Sequence, residues 1–371
     1  MATVGERCTT PLPTQRSAPV QRTVDAVVVG GGIIGLATAW QLARAGHEVV
    51  LLERFRPGRD RHRGHATSRI HRQAHTSDAH TRSAAEALPL WRAIERETGA
   101  DLLRITGGID HGDPARTTEL AARLAAFGVT HSLLDPEDAS ARWPGMRFDG
   151  PVLHQPDRTG RLHADHAVAA LAAAAIGHGA TIRYCTTATA VTVLGDDRVE
   201  IATTAGPVRA RRAVVTAGAG TDALLRGCVE APLPVVHDQP AHVPVRSGGP
   251  DVLRWPTFVH HPGPGAAWPG GGVHGLAGSS SCVQIGLHGS GPARERLLRY
   301  VEAFLPGLDA DQVGPVTSTG TAGPSPVVVA DRARPLVVAA GFTWQDVTLA
   351  PVIGRVLAEA AVENAPLVGA R

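Results

Sequence analysis

The sequence predicts an α/β protein that has a dinucleotide-binding domain and a second, smaller domain. Two observations lead to this prediction. A complete strand–turn–helix–strand unit stands near the beginning of the chain, and a length of 371 residues exceeds what one small core organises. Apolar residues make up 43% of the chain and charged residues 19%, which is typical of a folded protein and argues against a disordered one.

The charged residues restrict the chemistry of the chain. A net charge of +2 argues against a dedicated nucleic-acid-binding protein. All 36 basic residues are arginine, which excludes a lysine Schiff base, a lysine nucleophile and the lysine of a Walker-type phosphate loop. No apolar run approaches the roughly 18 residues of a membrane span, so we expect no membrane association.

The N-terminus and the histidines carry weaker signals. Residues 1–21 are polar and lack an apolar stretch, which favours a flexible tail on a cytoplasmic protein over a signal peptide. His260 and His261 are adjacent, but no third ligand recurs at a spacing that suits a metal. We interpret this pair as the end of a strand and expect no metal site.

The first organised segment carries the strongest motif. Val24–Val29 is a short, β-branched strand, and a GxGxxG turn follows it at 30–35. A helical stretch over 36–45 and a second strand over 47–52 come next, and this strand ends at Glu53. Strand, turn, helix, strand and acid in this order predict a bound dinucleotide.

Each part of the motif has a physical role. Gly30 permits the tight turn, Gly32 lets main-chain N–H groups approach a diphosphate at the helix N-terminus, and Gly35 lets helix and strand pack closely. Glu53 can accept hydrogen bonds from both hydroxyls of an adenosine ribose, which disfavours the 2′-phosphate of NADP.

The segment after this unit favours FAD over NAD. An NAD dehydrogenase continues directly with further strand–helix units, whereas this chain continues with an arginine- and histidine-rich loop over 54–75. The glycine, small residues and cations of this loop suit a segment along a diphosphate and a flavin ring. A solvated basic loop has the same composition, so the loop alone leaves both interpretations open.

Four segments together resemble the D-amino-acid-oxidase superfamily of FAD enzymes, nearest its sarcosine-oxidase and glycine-oxidase branches. They are SRIHRQAH at 68–75, which resembles the TRIIRHAY segment of sarcosine-oxidase-like enzymes, RRAVVTAGAG at 211–220, PLVVAAGF at 335–342 and LAPVIG at 349–354. The resemblance extends over about residues 22–362. It implies an FAD-dependent oxidoreductase that acts on CH–NH or CH–NH2 donors.

The resemblance also implies the contacts of FAD. The N-terminus of the last helix would point at the pyrimidine side of the flavin, where its partial positive charge stabilises a reduced, anionic ring. The expected FAD-binding residues are Gly30, Gly32, Ile33, Ile34, Gly35, Glu53, Arg54, His65, Ala66, Thr67, Ser68, Arg69, Val191, Ala217, Gly218, Gly220, Gly341, Phe342, Val347 and Thr348.

The implied architecture is a discontinuous, Rossmann-like FAD-binding domain with a smaller α+β substrate domain built on an antiparallel sheet. We expect the FAD-binding domain over 22–105, 160–228 and 325–365, and the substrate domain over 106–159 and 229–324. Within the substrate domain, the sequence favours strands over 251–260 and 281–287 and an amphipathic helix over 293–304.

The resemblance assigns roles near the substrate. Arg69 would lie beside the flavin, and Arg72 would reach a substrate carboxylate, with a structural or FAD-phosphate role as the alternative. Gln284 and His288 match the positions of a lysine and a histidine of sarcosine oxidases. The expected catalytic residues are Arg69, Gln284 and His288, and the expected substrate contacts are Arg72, Arg254, Trp344, Gln345 and Thr348.

The chain departs from the sarcosine-oxidase pattern at several of these positions. Gly320 replaces a tyrosine, and no cysteine stands near it to attach the flavin, so we expect noncovalent FAD. Gln284 replaces the lysine that activates oxygen, and Thr348 replaces a second lysine that binds carboxylate. A carboxylate would therefore fall on Arg72 or on an arginine such as Arg254.

These residues lead us to expect an oxidase that acts on the C–N bond of a secondary amino acid, with O2 as the electron acceptor. An N-substituted glycine is favoured, for example an N-carboxymethyl β-amino acid in natural-product biosynthesis, which would give glyoxylate, free amine and H2O2. An FAD-dependent dehydrogenase with a non-oxygen acceptor is the alternative. A monooxygenase is disfavoured because 341–343 lacks a GD-type flavin motif, and an inactive FAD-binding protein stays open.

Overall fold

The computed structural model of the chain describes residues 22–57, 68–225, 235–264, 272–287, 293–314, 319–322, 327–330, 335–343 and 346–363. The expected tail over 1–21 lies outside these residues. So do six of the expected site residues, which are His65, Ala66, Thr67, His288, Trp344 and Gln345.

The described residues include eight α-helices and nineteen β-strands. The helices are α1 Ile33–Arg44, α2 Asp78–Thr98, α3 Pro114–Ala126, α4 Pro136–Arg142, α5 Ala164–Gly177, α6 Thr221–Leu224, α7 Ala293–Phe304 and α8 Ala350–Glu363. The strands are β1 Val24–Val29, β2 Val49–Leu52, β3 Ser68–His71, β4 Leu103–Ile105, β5 Gly108–Gly112, β6 Ser132–Leu134, β7 Val152–Gln155, β8 Gly160–His163, β9 Thr181–Arg183, β10 Ala188–Gly195, β11 Arg198–Thr203, β12 Val208–Val215, β13 Val235–Pro244, β14 Thr257–His261, β15 Val273–Ser279, β16 Cys282–Leu287, β17 Thr319–Ala322, β18 Val327–Ala330 and β19 Leu336–Ala340.

The first sheet has a parallel centre. Strand β1 lies between β12 and β2, β9 extends the sheet beyond β2, and β19 pairs with β12, all in parallel. The β10–β11 hairpin and β18 add antiparallel strands at the margin. The predicted first strand has the predicted bounds. Helix α1 begins at Ile33, three residues before the predicted start, because the extended Gly32 already serves as its N-cap.

Helices cover one face of this sheet. Helix α1 packs against α5 and α8, and α2 packs against both of those helices. At the α1–α8 crossing, a Cβ on Gly354 would lie 2.5 Å from the main-chain carbon of Ala37, so only glycine permits this approach. Of the described helices, none combines the length and the apolar character that a membrane span requires.

The second sheet has eight strands in the order β17-β13-β16-β15-β14-β5-β7-β6. Its pairs are antiparallel except for the central β14–β5 pair, which is parallel. One face packs on α7 and a hydrophobic core that includes Val283, Ile285 and Tyr300. We call the opposite face of this sheet the inner face.

The sequence predicted part of this second region. Helix α7 has the predicted bounds, and β16 begins one residue later than predicted. The strand predicted over 251–260 is wrong in its first half. Asp251 accepts a hydrogen bond from the Leu253 N–H and caps a short 3-10 helix, Val252–Arg254, so that β14 begins only at Thr257.

A three-stranded sheet lies between the two large ones. It has the order β3-β8-β4, and β3 contacts β15 of the second sheet. Leu162 on β8 points into the core beneath the helices of the first sheet. The guanidinium of Arg161, one residue earlier, donates to the Ala277 carbonyl on β15 at 2.6 Å. This small sheet therefore holds the segment with Arg69 and Arg72 against the inner face.

Candidate active site

The glycine turn at the end of β1 forms a cradle for a diphosphate. Gly30 has φ of 110°, and a Cβ there would lie 2.5 Å from the Thr216 carbonyl oxygen. A Cβ on Gly35 would overlap the Gly30 carbonyl oxygen, whereas a Cβ on Gly32 would meet no atom within 4 Å. The open space at Gly32 faces the first turn of α1, where the N–H groups of Ile33, Ile34 and Gly35 have no intrahelical acceptor.

Glu53 is fixed at the rim of this cradle. Its Oε2 accepts a hydrogen bond from the Gly31 N–H at 2.6 Å, and its Oε1 accepts one from the Phe55 N–H at 2.9 Å. A carboxylate held by two main-chain donors has a defined direction and keeps lone pairs for further donors. Open space at Gly32 and an oriented carboxylate beside it fit the diphosphate and ribose of FAD.

The end of β12 forms the opposite wall of the cradle. The Thr216 hydroxyl donates to the Val29 carbonyl at 3.1 Å and ties this wall to β1. Ala217 and Gly218 follow, the latter with φ of 58°, and they open the short 3-10 helix that ends at Gly220. Val191 packs on the same face of the sheet as Ala217.

The segment between β19 and α8 is built around a buried carboxylate that sequence analysis missed. Asp346 accepts hydrogen bonds from the N–H and the hydroxyl of Thr343, at 2.6 and 2.9 Å. Thr348 is buried, and its carbonyl accepts a hydrogen bond from the Trp91 indole at 2.8 Å. Gly341, with φ of 80°, starts this turn. Asp346 belongs to no sequence motif, and only its burial and its hydrogen bonds in the structure reveal its role in this turn.

Arg72, the predicted carboxylate ligand, forms an ion pair with a buried carboxylate of the protein. Its guanidinium lies 2.5 Å from Oδ1 of Asp110, whose side chain is 1% exposed. The same carboxylate contacts His261 Nε2 at 2.8 Å and accepts from Gln155 Nε2 at 3.2 Å. The single positive charge of Arg72 is therefore already balanced by Asp110. A substrate carboxylate at this position would share the guanidinium with Asp110.

The other predicted arginines have different surroundings. The Arg69 guanidinium donates to the Ser68 carbonyl at 3.1 Å. The Arg254 side chain is 88% exposed on the 3-10 helix, beside Asp251, so its predicted contact with the substrate stays a prediction that these surroundings do not support. Arg161, which sequence analysis passed over, is buried between the small sheet and β15, and burial lowers its pKa from the usual value.

The inner face carries a row of polar side chains. Gln284 is buried, and its Oε1 has no hydrogen-bond partner among the described residues. His274 on β15 lies opposite Gly286, and a Cβ at 286 would overlap its ring. His242 on β13 lies opposite Gln284, and burial lowers its pKa, which favours the neutral imidazole. The motif around Gln284 predicted a role for this position, whereas His242 and His274 lie on the inner face through the sheet register alone.

A glycine turn with an oriented acid beside it, and a second sheet with a buried polar face, are the features expected of an FAD-binding oxidoreductase. The chain belongs to the family described as FAD dependent oxidoreductase (DAO), which matches residues 25–360. This result confirms the resemblance, the α/β fold and FAD as the cofactor. The protein is an FAD-dependent oxidoreductase that acts on the C–N bond of amine donors.

Known relatives place the chain within this family more closely. It is 29% identical over 376 residues to a peroxisomal sarcosine oxidase of Mus musculus, covering 92% of this chain and 93% of the relative. A monomeric sarcosine oxidase of Bacillus sp. is 26% identical, with 91% and 92% covered. The structure resembles the open form of NikD, an amino acid oxidase of nikkomycin biosynthesis, with a TM-score of 0.75, 26% identity and 94% and 96% of the two chains covered. The glycine oxidase of Geobacillus kaustophilus shares the fold, with a TM-score of 0.73, 22% identity and 93% and 96% covered.

Proposed function

We propose that this protein is an oxidase of secondary amino acids whose substrate is an N-substituted glycine. Oxidation of the carboxymethyl C–N bond to an imine, followed by hydrolysis, would release glyoxylate and a free amine. O2 would take the two electrons and give H2O2. The names of the relatives support the substrate class, because sarcosine is the simplest N-substituted glycine.

The observation that carries this proposal is the buried carbonyl oxygen of Gln284. Leaving a buried acceptor without a hydrogen bond costs about 1–3 kcal/mol of stability. A bound ligand that donates a hydrogen bond to Gln284 Oε1 would remove this cost. An amine N–H is such a donor. Glutamine is uncharged, and its carbonyl oxygen can accept a hydrogen bond from the N–H of an unprotonated amine, which is the form that is needed for oxidation.

The other residues of the site would bind and orient. FAD, when bound, supplies the acceptor for two electrons, and we propose that it is held noncovalently by the cradle and Glu53. Arg72, oriented by Asp110, would offer its remaining N–H groups to the substrate carboxylate. The proposed roles of Arg69, His288, Trp344, Gln345 and Thr348 rest on the family resemblance.

We also propose the division of the chain into domains. The first sheet with its helices would be the FAD-binding domain, assembled from 22–105, 160–228 and 325–365. The second sheet would be the substrate domain, from 106–159 and 229–324. Separate hydrophobic cores behind each sheet support this division.

The substrate is proposed to be larger than sarcosine. Both lysines of the sarcosine-oxidase pattern are replaced, by Gln284 and Thr348, so the ligands that fit a small zwitterion are absent from these positions. An N-carboxymethyl β-amino acid in natural-product biosynthesis fits this description. The similarity to NikD, at 26% identity, supports such a context.

Anaerobic flavin reduction tests the proposal. Purified holoenzyme is mixed with sarcosine and with a panel of N-carboxymethyl amines and β-amino acids, and the visible absorption of the flavin is followed. We expect faster bleaching with the larger compounds than with sarcosine. A flavin that no member of the panel reduces would contradict the proposed substrate class, while leaving FAD binding intact.

A dehydrogenase is the second candidate, and one observation favours it. Gln284 stands where sarcosine oxidases have the lysine that activates oxygen. Turnover with O2 in an oxygen electrode, compared with turnover with a quinone or redox dye, separates the two. Rapid H2O2 formation supports the oxidase, and dye reduction without oxygen consumption supports the dehydrogenase.

A further inference from the structure

The hydrophobic face of the second sheet carries a cluster of ligand-type side chains outside the proposed active site. His111 on β5 and His260 on β14 are direct partners in the parallel register of these strands, and their ring centroids are 4.1 Å apart. Both side chains are buried. Asp149, in the loop before β7, reaches them, with Oδ1 3.3 Å from His260 Nε2. We call these three residues the His–Asp cluster.

The spacing of the cluster suits a metal ion. One ligand atom from each of the three residues lies within 4.8 Å of the other two. A tetrahedral zinc site with bonds of about 2.0–2.2 Å separates neighbouring ligand atoms by roughly 3.4 Å. The Asp149–His260 pair already has this separation, and side-chain rotations that move atoms by about 1 Å close the remaining gaps.

Two glycines make the approach of the three side chains possible. Gly112 has φ of 107°, and a Cβ there would overlap the ring of His260. A Cβ on Gly150 would overlap the Gly112 carbonyl oxygen. The loop that carries Asp149 therefore closes onto the two imidazoles only because both positions are glycine.

The surroundings leave a polar atom unsatisfied. His111 Nδ1 is buried and has no hydrogen-bond partner within the described part of the chain. The neighbouring rings are apolar: Phe148 packs edge-on against His111 at 5.0 Å, and Phe304 lies 4.8 Å from His260. Because an unpaired buried nitrogen is costly, a ligand that engages the His111 ring would stabilise this core.

We propose that the His–Asp cluster binds a structural zinc ion, with water as the fourth ligand. Two imidazoles and one carboxylate are a donor set that zinc accepts. Asp149 is 47% exposed, which gives an ion access from solvent. The neighbours of the two histidines in sequence, Asp110 and His261, point to the inner face, so the ion would stiffen the strands that hold Arg72.

Sequence spacing did not reveal this cluster. His260 was interpreted as a strand end because no third ligand recurs nearby in sequence, but its companions come from two distant segments. His111 meets it through the β5–β14 pairing, and Asp149 through the loop that the glycines bring close.

The zinc content of the purified holoprotein tests the proposal. After growth with added zinc and gel filtration, elemental analysis should find about one zinc per chain in the wild type. In His111→Gln and Asp149→Asn this content should fall by at least about tenfold. Asp149→Asn changes a half-exposed side chain, so it keeps the test valid if His111→Gln does not fold.

A matched control and a second measurement complete the test. His178 pairs with Glu97 at 3.2 Å but has no third ligand among the described residues, so His178→Gln should retain its zinc. Zinc added to chelator-treated holoprotein should raise the Tm of the wild type and not that of Asp149→Asn. Wild-type protein without zinc and without a Tm shift, or an unchanged zinc content in Asp149→Asn, would overturn the proposal.

Discussion

Single side chains on the inner face set the polarity that a substrate would meet. With no lysine in the chain, none of its side chains can carry an ammonium group, and burial lowers the pKa of His242, which favours its neutral form. The charges of Arg72 and Asp110 balance each other. Gln284 is a neutral amide in a buried position, and burial without a counter-charge suits an unprotonated amine better than an ammonium ion.

Replacement of Gln284 by leucine tests its proposed contact with the amine. The change removes the buried acceptor and keeps a similar volume. We expect kcat/KM for the amine substrate to fall about 10- to 100-fold, which corresponds to the loss of one buried hydrogen bond, while Tm stays equal or rises. Gln312→Leu, at an exposed position beside Asp309, is the control. An unchanged kcat/KM in Gln284→Leu would show that Gln284 does not bind the amine of the substrate.

His71 predicts a pH dependence of stability. It is fully buried on β3, and burial, followed by the Arg92 charge, lowers its pKa from 6.5 to about 4. The folded protein keeps His71 neutral while the unfolded chain takes up a proton below pH 6.5, so stability is lost as the pH falls from about 6.5 towards 4. At pH 5 the loss from this group is about 2 kcal/mol.

Thermal unfolding at pH 7 and pH 5 checks this dependence. His71→Asn removes the titrating group, and its Tm should fall less between the two pH values than the wild-type Tm does. His131→Asn is the control, since His131 is only half-buried and contacts the Val129 carbonyl. Equal pH dependence in the wild type and His71→Asn would show that His71 does not titrate as described.

Helices and strands with a strong local sequence pattern were predicted correctly, whereas the first and last residues of other elements were predicted less well. The strand at Val24–Val29 was predicted from its run of β-branched residues, and the helix at Ala293–Phe304 from its amphipathic pattern, and both have the predicted bounds. The prediction of a strand over 251–260 was wrong in its first half, because the Asp251 carboxylate accepts a hydrogen bond from the Leu253 N–H and favours a 3-10 helix there. Helix α2 went unpredicted, and Pro89 within it weakens the sequence signal.

The crossing of α1 and α8 gives a prediction at the scale of elements. Gly354→Ala would place a Cβ 2.5 Å from the main chain of Ala37 and force the two helices apart. We expect a loss of about 1–3 kcal/mol in the free energy of unfolding, measured by urea denaturation. Gly177→Ala, at the end of α5 where a Cβ meets nothing within 4 Å, should change it by less than about 0.5 kcal/mol. Equal effects of the two substitutions would contradict this packing.

At the scale of the whole molecule, the ion pair of Arg72 and Asp110 ties the small sheet to the second sheet. Removing either partner takes the opposite charge away from a buried or largely buried group, although Asp110 keeps its contacts with His261 and Gln155. Arg72→Gln and Asp110→Asn should therefore each destabilise the fold, by about 1–3 kcal/mol. The double variant should recover part of this loss, because both charges are gone. Additive losses in a double-mutant cycle, measured by denaturant unfolding, would show that the pair is not coupled.

The sequence predicted those parts of the site that are contiguous in the chain. Gly30, Gly35 and Glu53 belong to one strand–turn–helix–strand unit, so their spacing alone revealed the cradle. The pairing of Arg72 with Asp110 could not be predicted from sequence spacing, because the two residues are far apart in the chain. It depends on the register of β5 with β14 and on the seating of the small sheet against the inner face, and both are set by long-range packing.

The stoichiometry of one anaerobic turnover tests whether bound FAD oxidises an N-substituted glycine to glyoxylate. The purified yellow protein is mixed with an N-carboxymethyl amine without oxygen, and glyoxylate and reduced flavin are both quantified. We expect about one glyoxylate per reduced flavin, because one two-electron oxidation of the substrate fully reduces one FAD. A colourless protein that does not take up added FAD, or a flavin that stays oxidised while glyoxylate is absent, would contradict it.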